Sequence, residues 1–386
     1  MFIRRLNVSG LLSFGPAGID LPLEKLNVLI GPNGSGKSNL LEVLALLRAA
    51  PTNLAAPVKE MGGTREWLWK GLESRGSATI IAELDAFERE GSLRHVLEIG
   101  EHGDRFEIID ERIETADALP EEVLGAQYYD FRHGRPVLLD STGILREIKR
   151  ADLKPEESVL SQVRDPSSYP SLHALEKTYE QIRLYRNWSF GPTAQWRREQ
   201  SAQARSDVLS DGGENLAIVL SKIRLRAKHE LIQSARKLYD GIQDIHLTVD
   251  GGNVFLFLEE SGREIPATRL SDGTLRYLSL LAILLHPDPP PLVAIEEPEL
   301  GLHPDVLPHV AELLVRASER MQLVVTTHSR MLVDALSDNP SSVVVCEKVN
   351  GESRFERLDG ETLRAWLEKY SLGTLWSMGE LGANRW

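Results

Sequence analysis

Gly31-Pro32-Asn33-Gly34-Ser35-Gly36-Lys37-Ser38 is the stretch that decides the fold of this 386-residue chain. It fits G-x-x-x-x-G-K-[ST] at every fixed position. The apolar run from Leu26 to Ile30 reads as a buried strand leading into it, and 39–50 has the apolar density of a helix that stops before Pro51. Strand, glycine-rich loop and helix is the context in which this motif holds phosphate. The glycines let backbone N–H groups curl around phosphate oxygens, and the helix N-terminus adds positive potential. Lys37 then reaches the β- and γ-phosphates and the Ser38 hydroxyl ligates Mg²⁺. Residues Gly31 to Ser38, with Asn39 after them, form the expected nucleotide-binding set. A plain glycine-rich turn would not require all four fixed positions and both flanks.

Three further clusters follow downstream. Leu292-Val293-Ala294-Ile295-Glu296-Glu297 is a buried apolar strand ending in two acids. At the carboxyl edge of a parallel sheet, Glu296 can hold Mg²⁺ and Glu297 can polarise the attacking water. Taken alone, acids at a strand end are commonly solvated caps. Thr326-Thr327-His328-Ser329 follows another apolar strand, 322–326, and places His328 where it can contact a γ-phosphate. In isolation it reads as a surface histidine before a helix. Leu270-Ser271-Asp272-Gly273-Thr274 opens an apolar helix over 274–285, and on its own Ser271 or Asp272 is an ordinary N-cap.

The chain carries 44 Lys+Arg against 57 Asp+Glu, a net charge of −13, which argues against a surface basic throughout. Within that balance, 181–240 holds 11 Lys/Arg and 6 Asp/Glu. Lys222, Arg224, Arg226 and Lys228, and Arg197-Arg198 with Trp188 and Trp196, form either a solvated face or a nucleic-acid contact. Cys346 is the single cysteine, so an intrachain disulfide is impossible. The N-terminus does not read as a signal peptide, and no apolar run is long enough for a membrane helix. A soluble, cytoplasmic protein with no membrane partner is expected. The division expected is 1–119 and 243–386 as two parts of one α/β head, with a mostly helical insertion over 120–242.

The order of the clusters resembles an ABC-type ATPase of the RecF/SMC/OLD group, often labelled AAA-type ATPases. Gly31 to Ser38 resembles its Walker A, Leu270 to Thr274 its signature, and Val293 to Glu297 with Pro298 to Pro304 its Walker B and D-loop. His328 resembles its switch histidine. The opening Phe2-Ile3-Arg4-Arg5-Leu6 with 10–15 resembles the first strands near the adenine. The fold implied is a P-loop ATPase head with mixed sheets. ATP and Mg²⁺ are the implied cofactors, and an ATP-dependent homodimer is implied in which Ser271 and Gly273 of one head face the γ-phosphate held by Lys37 of the other.

Three departures stand out. The signature reads Ser-Asp-Gly-Thr, the first Walker B acid is Glu296 rather than Asp, and the glutamine ligand of the metal is not obvious. Gln162 is the candidate and Gln127 the alternative.

Function is then expected in one of three classes. The first is an ATP-switched head in a nucleic-acid transaction, DNA repair or anti-phage defence, acting with a separately encoded effector. The second is a regulatory nucleotide-binding module with little turnover. The third is a transporter subunit, disfavoured by the long interval between Lys37 and Ser271. A nuclease is not expected, since 329–386 contains no Asp-x-Asp pair. The tail, with Leu375, Trp376, Met378, Leu381 and Trp386, reads as a clasp on the head or a docking segment for the effector.

Overall fold

A computed structural model describes residues 3–71, 76–87, 91–103, 105–116, 127–132, 134–186, 188, 191, 193–205 and 207–382. Phe2 and Trp386, singled out above, lie outside them.

The apolar runs read from the sequence assemble into a six-stranded sheet. Its order is Arg183–Tyr185, Leu292–Glu296, Gln322–Thr326, Leu26–Ile30, Val343–Val349 and Glu352–Arg357, the first five parallel and the last antiparallel. The register sets Glu296 opposite Thr326 and Thr326 opposite Leu29. The loops after these strands therefore leave from one edge, the edge where open α/β sheets bind ligands.

Strand alternation splits the core in two. Val28, Ile30, Val293, Ile295 and Val325 point to one side, against the helices Asp272–Leu284 and Leu307–Ser318. Leu29, Leu292, Ala294, Val324 and Cys346 point to the other, where Lys37–Ala49 packs with Leu40, Leu44 and Leu47. Beyond that helix lies an eight-stranded antiparallel sheet built from Ile3–Ser9 and Ile19–Pro22, the long strands Ser77–Phe87, Gly91–His102 and Arg105–Thr115, and three short ones. Gln322 joins the two sheets: its buried amide accepts from Ile3 N at 3.0 Å and donates to Ile3 O at 2.8 Å. A third sheet, Gln200–Ser201, Asn253–Glu260 and Ile242–Asp250 with Arg263–Pro266, flanks the helix Leu216–Arg236.

The segment 120–242 is not mostly helical. Gln127–Arg132, Arg135–Leu139 and Leu145–Glu147 complete the eight-stranded sheet, and Arg183–Tyr185 is the outer strand of the parallel one. Its longer helices are Pro170–Glu180 and Leu216–Arg236. These strands are three to six residues long, too short to show a period of two.

In the tail, Leu372–Met378 docks on Arg330–Asp334 with Leu372 and Leu375 buried, while Met378 stays exposed. Among the described residues no helix is long and apolar enough to cross a membrane.

Candidate functional site

The helix Lys37–Ala49 starts at Gly36, whose φ of 100° lies in the left-handed region that favours glycine. It has no side-chain cap and no acid in its first turn, whereas Ser271 and Ser329 cap the helices Asp272–Leu284 and Arg330–Asp334. Its first N–H groups are thus left for an anion. Ser35 Oγ, buried in the same loop, has no hydrogen-bond partner, as expected of a group that awaits a ligand. Lys37 Nζ folds back to donate to Gly31 O at 2.8 Å and Pro32 O at 3.0 Å. Burial pulls its ammonium below the ordinary lysine value, while Glu297, Glu296 and Glu299 act in the opposite direction. Asn39 donates to Ser13 Oγ at 2.6 Å, tying the loop to the segment after the first strand. A cavity of about 850 Å³ opens there, lined by Leu12, Ser13, Gly34, Asn39, Trp69 and Asn350. It is the place the resemblance assigns to the nucleoside.

The acids sit across the sheet edge from the loop. Ser38 Oγ donates to Glu296 Oε1 at 2.5 Å. Glu297 holds a φ of 45°, uncommon for a residue with a side chain. The conformation is fixed from both ends of its peptide: its N–H donates to Thr326 O at 3.0 Å and Thr326 Oγ1 at 3.2 Å, and Arg276 donates to its carbonyl. Its carboxylate lies 3.7 Å from His328 Nε2. Burial, joined by Lys37, holds the His328 imidazole below its ordinary value.

Glu299 was not singled out from the sequence. Its Oε1 accepts from Thr327 Oγ1 at 2.7 Å and His328 N at 2.8 Å, so it sets the loop that carries the histidine. A third acid in Glu296-Glu297-Pro298-Glu299 was the available signal.

The signature turn lies on the same head but faces outward. Ser271 is exposed; its Oγ accepts from Thr274 N at 3.0 Å and lies 2.8 Å from Thr274 Oγ1. Leu270 and Thr274 are buried beneath it. Gly273 packs so closely on the loop after the acids that a Cβ there would meet Gly301 O at 2.5 Å. The carboxylate that makes this signature unusual is already engaged: Asp272 accepts from Arg197 Nη2 at 2.5 Å and Gly191 N at 3.2 Å, and the Arg197 hydrogen bond lowers its pKa.

One expectation needs correction. Gln162 lies outside this constellation: its amide accepts from Lys154 N at 2.8 Å and donates to Glu157 O at 2.7 Å, closing its own loop. The alternative, Gln127, pairs with Glu114 in the antiparallel sheet. The chain's middle instead sends Arg186 to the acids, with Nε 3.2 Å from Glu296 Oε2. In the basic segment 181–240, four cations share two carboxylates. Arg224 and Lys228 pair with Asp244, and Lys222 and Arg226 with Asp288. Trp188 and Trp196 stack on one another at 5.7 Å, and Trp196 is buried, so neither offers a free face to bases.

These donors suit Mg²⁺. Ser38 and Glu296 supply oxygen only, and Mg²⁺ is commonly held by one or two carboxylates together with substrate phosphates. Ser38 and Glu296 would hold the ion, and the uncapped loop with Lys37 would hold the phosphates.

Over residues 26–334 the chain matches the family described as "AAA domain, putative AbiEii toxin, Type IV TA system". It belongs to this family. The match runs from the strand before the phosphate loop to the helix after His328. Two solved structures of similar fold are an Smc head bound to the C-winged helix domain of ScpA and an Smc head domain with an extended coiled coil, bound to the C-terminal domain of ScpA, derived from Pyrococcus furiosus. The first is 14% identical with a TM-score of 0.58, covering 94% of this chain and 99% of that one. The second is 14% identical with a TM-score of 0.57, covering 95% and 99%. At that identity the likeness is one of fold, a RecF/SMC-like P-loop ATPase head. No curated protein matches the chain.

Proposed function

We propose that this AAA-domain protein is a cytoplasmic, Mg²⁺-dependent ATPase whose two heads close on ATP and thereby switch a separately encoded partner. One observation carries the catalytic part. The uncapped phosphate loop, the Ser38–Glu296 pair, Glu297 and His328 converge on one edge of the parallel sheet. In this reading Lys37 binds the β- and γ-phosphates, Ser38 and Glu296 hold Mg²⁺, Glu297 activates water, and His328 contacts the γ-phosphate. Mg²⁺ supplies charge neutralisation for the transferring phosphoryl group.

The dimer is supported by the signature turn, where Ser271 at the start of the helix Asp272–Leu284 is exposed. A second copy can complete the cage around a half-enclosed γ-phosphate, and the symmetric solution is a two-fold dimer. With Asp272 neutralised by Arg197, the departure from Ser-Gly-Gly does not bring an unpaired carboxylate to the partner's phosphates.

The family description, with its putative toxin of a type IV toxin–antitoxin system, favours anti-phage defence over DNA repair as the setting. Smc heads seated on ScpA support a protein partner as the thing switched. A regulatory module with little turnover is favoured by one observation: both Glu296 oxygens are engaged, by Ser38 and Arg186. Phosphate release from Mg-ATP, with light scattering on the same sample, separates the two. Turnover with an ATP-dependent doubling of mass supports the switch; tight binding without turnover supports the module.

A further inference from the structure

An ABC-type head is expected to place a glutamine at the metal, and this chain places an arginine beside the metal-holding acid. Arg183–Tyr185 lies parallel to Leu292–Glu296 with Tyr185 opposite Ile295, so the next residue emerges beside Glu296. Arg186 Nε donates to Glu296 Oε2 at 3.2 Å, and its Nη2 lies 2.8 Å from Glu42 Oε1 on the phosphate-loop helix. A guanidinium carries donors only and stays protonated, so Arg186 cannot ligate a cation. What it can do is hold the carboxylate. With Oε2 fixed, Oε1 faces the Ser38 hydroxyl. Glutamate has one more rotatable bond than the aspartate usual at this position, and a planar fork from behind removes the added freedom.

Trp188, Gly191 and Arg197 extend these contacts to the signature turn. Trp188 Nε1 donates to Glu296 O at 3.2 Å, and the Arg276 guanidinium lies 4.4 Å over the Trp188 ring while donating to Glu297 O. Trp188 stacks on Trp196. The neighbouring Arg197 bonds Asp272 and donates to Leu270 O at 2.5 Å, and Gly191 N donates to Asp272. Contacts made by Arg186, Trp188, Gly191 and Arg197 thus touch both the Mg²⁺-holding acid and the turn expected to face the partner head.

We propose that Arg186 is the positioning residue for Glu296, and that the contacts of Arg186, Trp188, Gly191 and Arg197 couple the state of the metal site to the signature turn 270–274. The proposal rests on the ATPase reading above.

The test is equilibrium binding of a fluorescent ATP analogue, first in EDTA and then across a Mg²⁺ titration. Arg186→Ala is expected to keep its EDTA affinity within about twofold of wild type. Its Mg²⁺ midpoint is expected to rise by about tenfold or more, the usual cost of losing a group that orients a metal ligand. Arg186→Lys, which keeps the charge but loses the fork, is expected to fall between, and Arg186→Met, which offers neither a donor to Glu296 nor an oxygen to the metal, gives the same direction if the alanine variant fails to fold. Hydrogen exchange provides the second readout. Mg²⁺ with a non-hydrolysable analogue is expected to slow exchange over 270–276 in wild type but not in Arg197→Ala, whose Mg²⁺ midpoint stays at the wild-type value. An unshifted midpoint in the Arg186 variants, or wild-type protection in Arg197→Ala, would overturn the proposal. Failure of the wild-type chain to bind nucleotide in either arm would overturn the ATPase reading and this proposal with it.

Discussion

The hydroxyl of Ser38 donates to Oε1 of Glu296 across 2.5 Å, although 258 residues separate the two in sequence. The contact follows from topology. Ser38 opens the helix after one parallel strand, Glu296 ends another, and Gln322–Thr326 lies between those strands. Two oxygen donors of the kind Mg²⁺ prefers are thereby brought together, facing an uncapped helix N-terminus.

Lys37→Ala removes the charge expected at the phosphates. Among the described residues Lys37 Nζ bonds the loop carbonyls Gly31 O and Pro32 O, so the variant is expected to fold. Isothermal titration with Mg-ATP is expected to show affinity lowered by two orders of magnitude or so, since a charge-assisted contact to phosphate in a largely buried site is lost. Wild-type affinity would remove Lys37 from the site.

Gly273→Ala tests the signature turn. The new Cβ would lie 2.5 Å from Gly301 O, so backbone must shift, at a cost of about 1–3 kcal/mol. The turn is expected to move off the loop that follows the acids. Light scattering should then show monomers at saturating Mg-ATP, with each head still binding nucleotide. A normal ATP-dependent dimer would leave Ser271 as a helix cap and nothing more.

Stability should depend strongly on Glu111, buried far from the phosphate loop in the antiparallel sheet. It accepts from the Ser158 hydroxyl, from Val159 N at 2.9 Å, and lies 3.3 Å from His95 Nε2, itself 3.1 Å from the Tyr179 hydroxyl on its other side. Glu111→Ala leaves these buried groups without their acceptor and is expected to cost about 2–4 kcal/mol in urea unfolding. A change near zero would mean the network contributes little.

His328 gives the nucleotide-free protein a pH dependence of known sign. Its folded pKa lies below the ordinary value near 6.5 because burial and Lys37 disfavour the charged ring. Between the two values the unfolded chain binds more protons at this site than the folded one. Stability therefore rises with pH through that window and is lost as pH falls through it. His328→Asn is expected to flatten the slope of unfolding free energy between about pH 5 and 7. An unchanged slope would place the histidine in water.

Much of the site was legible because its parts are local. A phosphate loop, a strand ending in acids and a strand ending in Thr-His are each contiguous, and parallel pairing brings their ends to one edge. Arg186 was hidden because a three-residue strand carries no period, and only its pairing with Leu292–Glu296 reveals what it faces. Glu299 was hidden because its partners, Thr327 and His328, come from another loop. Gln162 was expected from family pattern rather than from local chemistry, and its amide closes a turn. The basic run read as a patch because its pairing with Asp244, on the next strand, and Asp288, 62 residues from Arg226, shows only in the fold.

The central claim is that this chain hydrolyses ATP with Glu297 as the base, and single-turnover phosphate release from Mg-ATP tests it most directly. Wild-type protein is expected to release phosphate. Glu297→Gln, which keeps the shape of the side chain and removes its basicity, is expected to bind Mg-ATP with wild-type affinity and release phosphate at least about 100-fold more slowly. Release by Glu297→Gln at the wild-type rate, or none from wild type under saturating Mg-ATP, would contradict it.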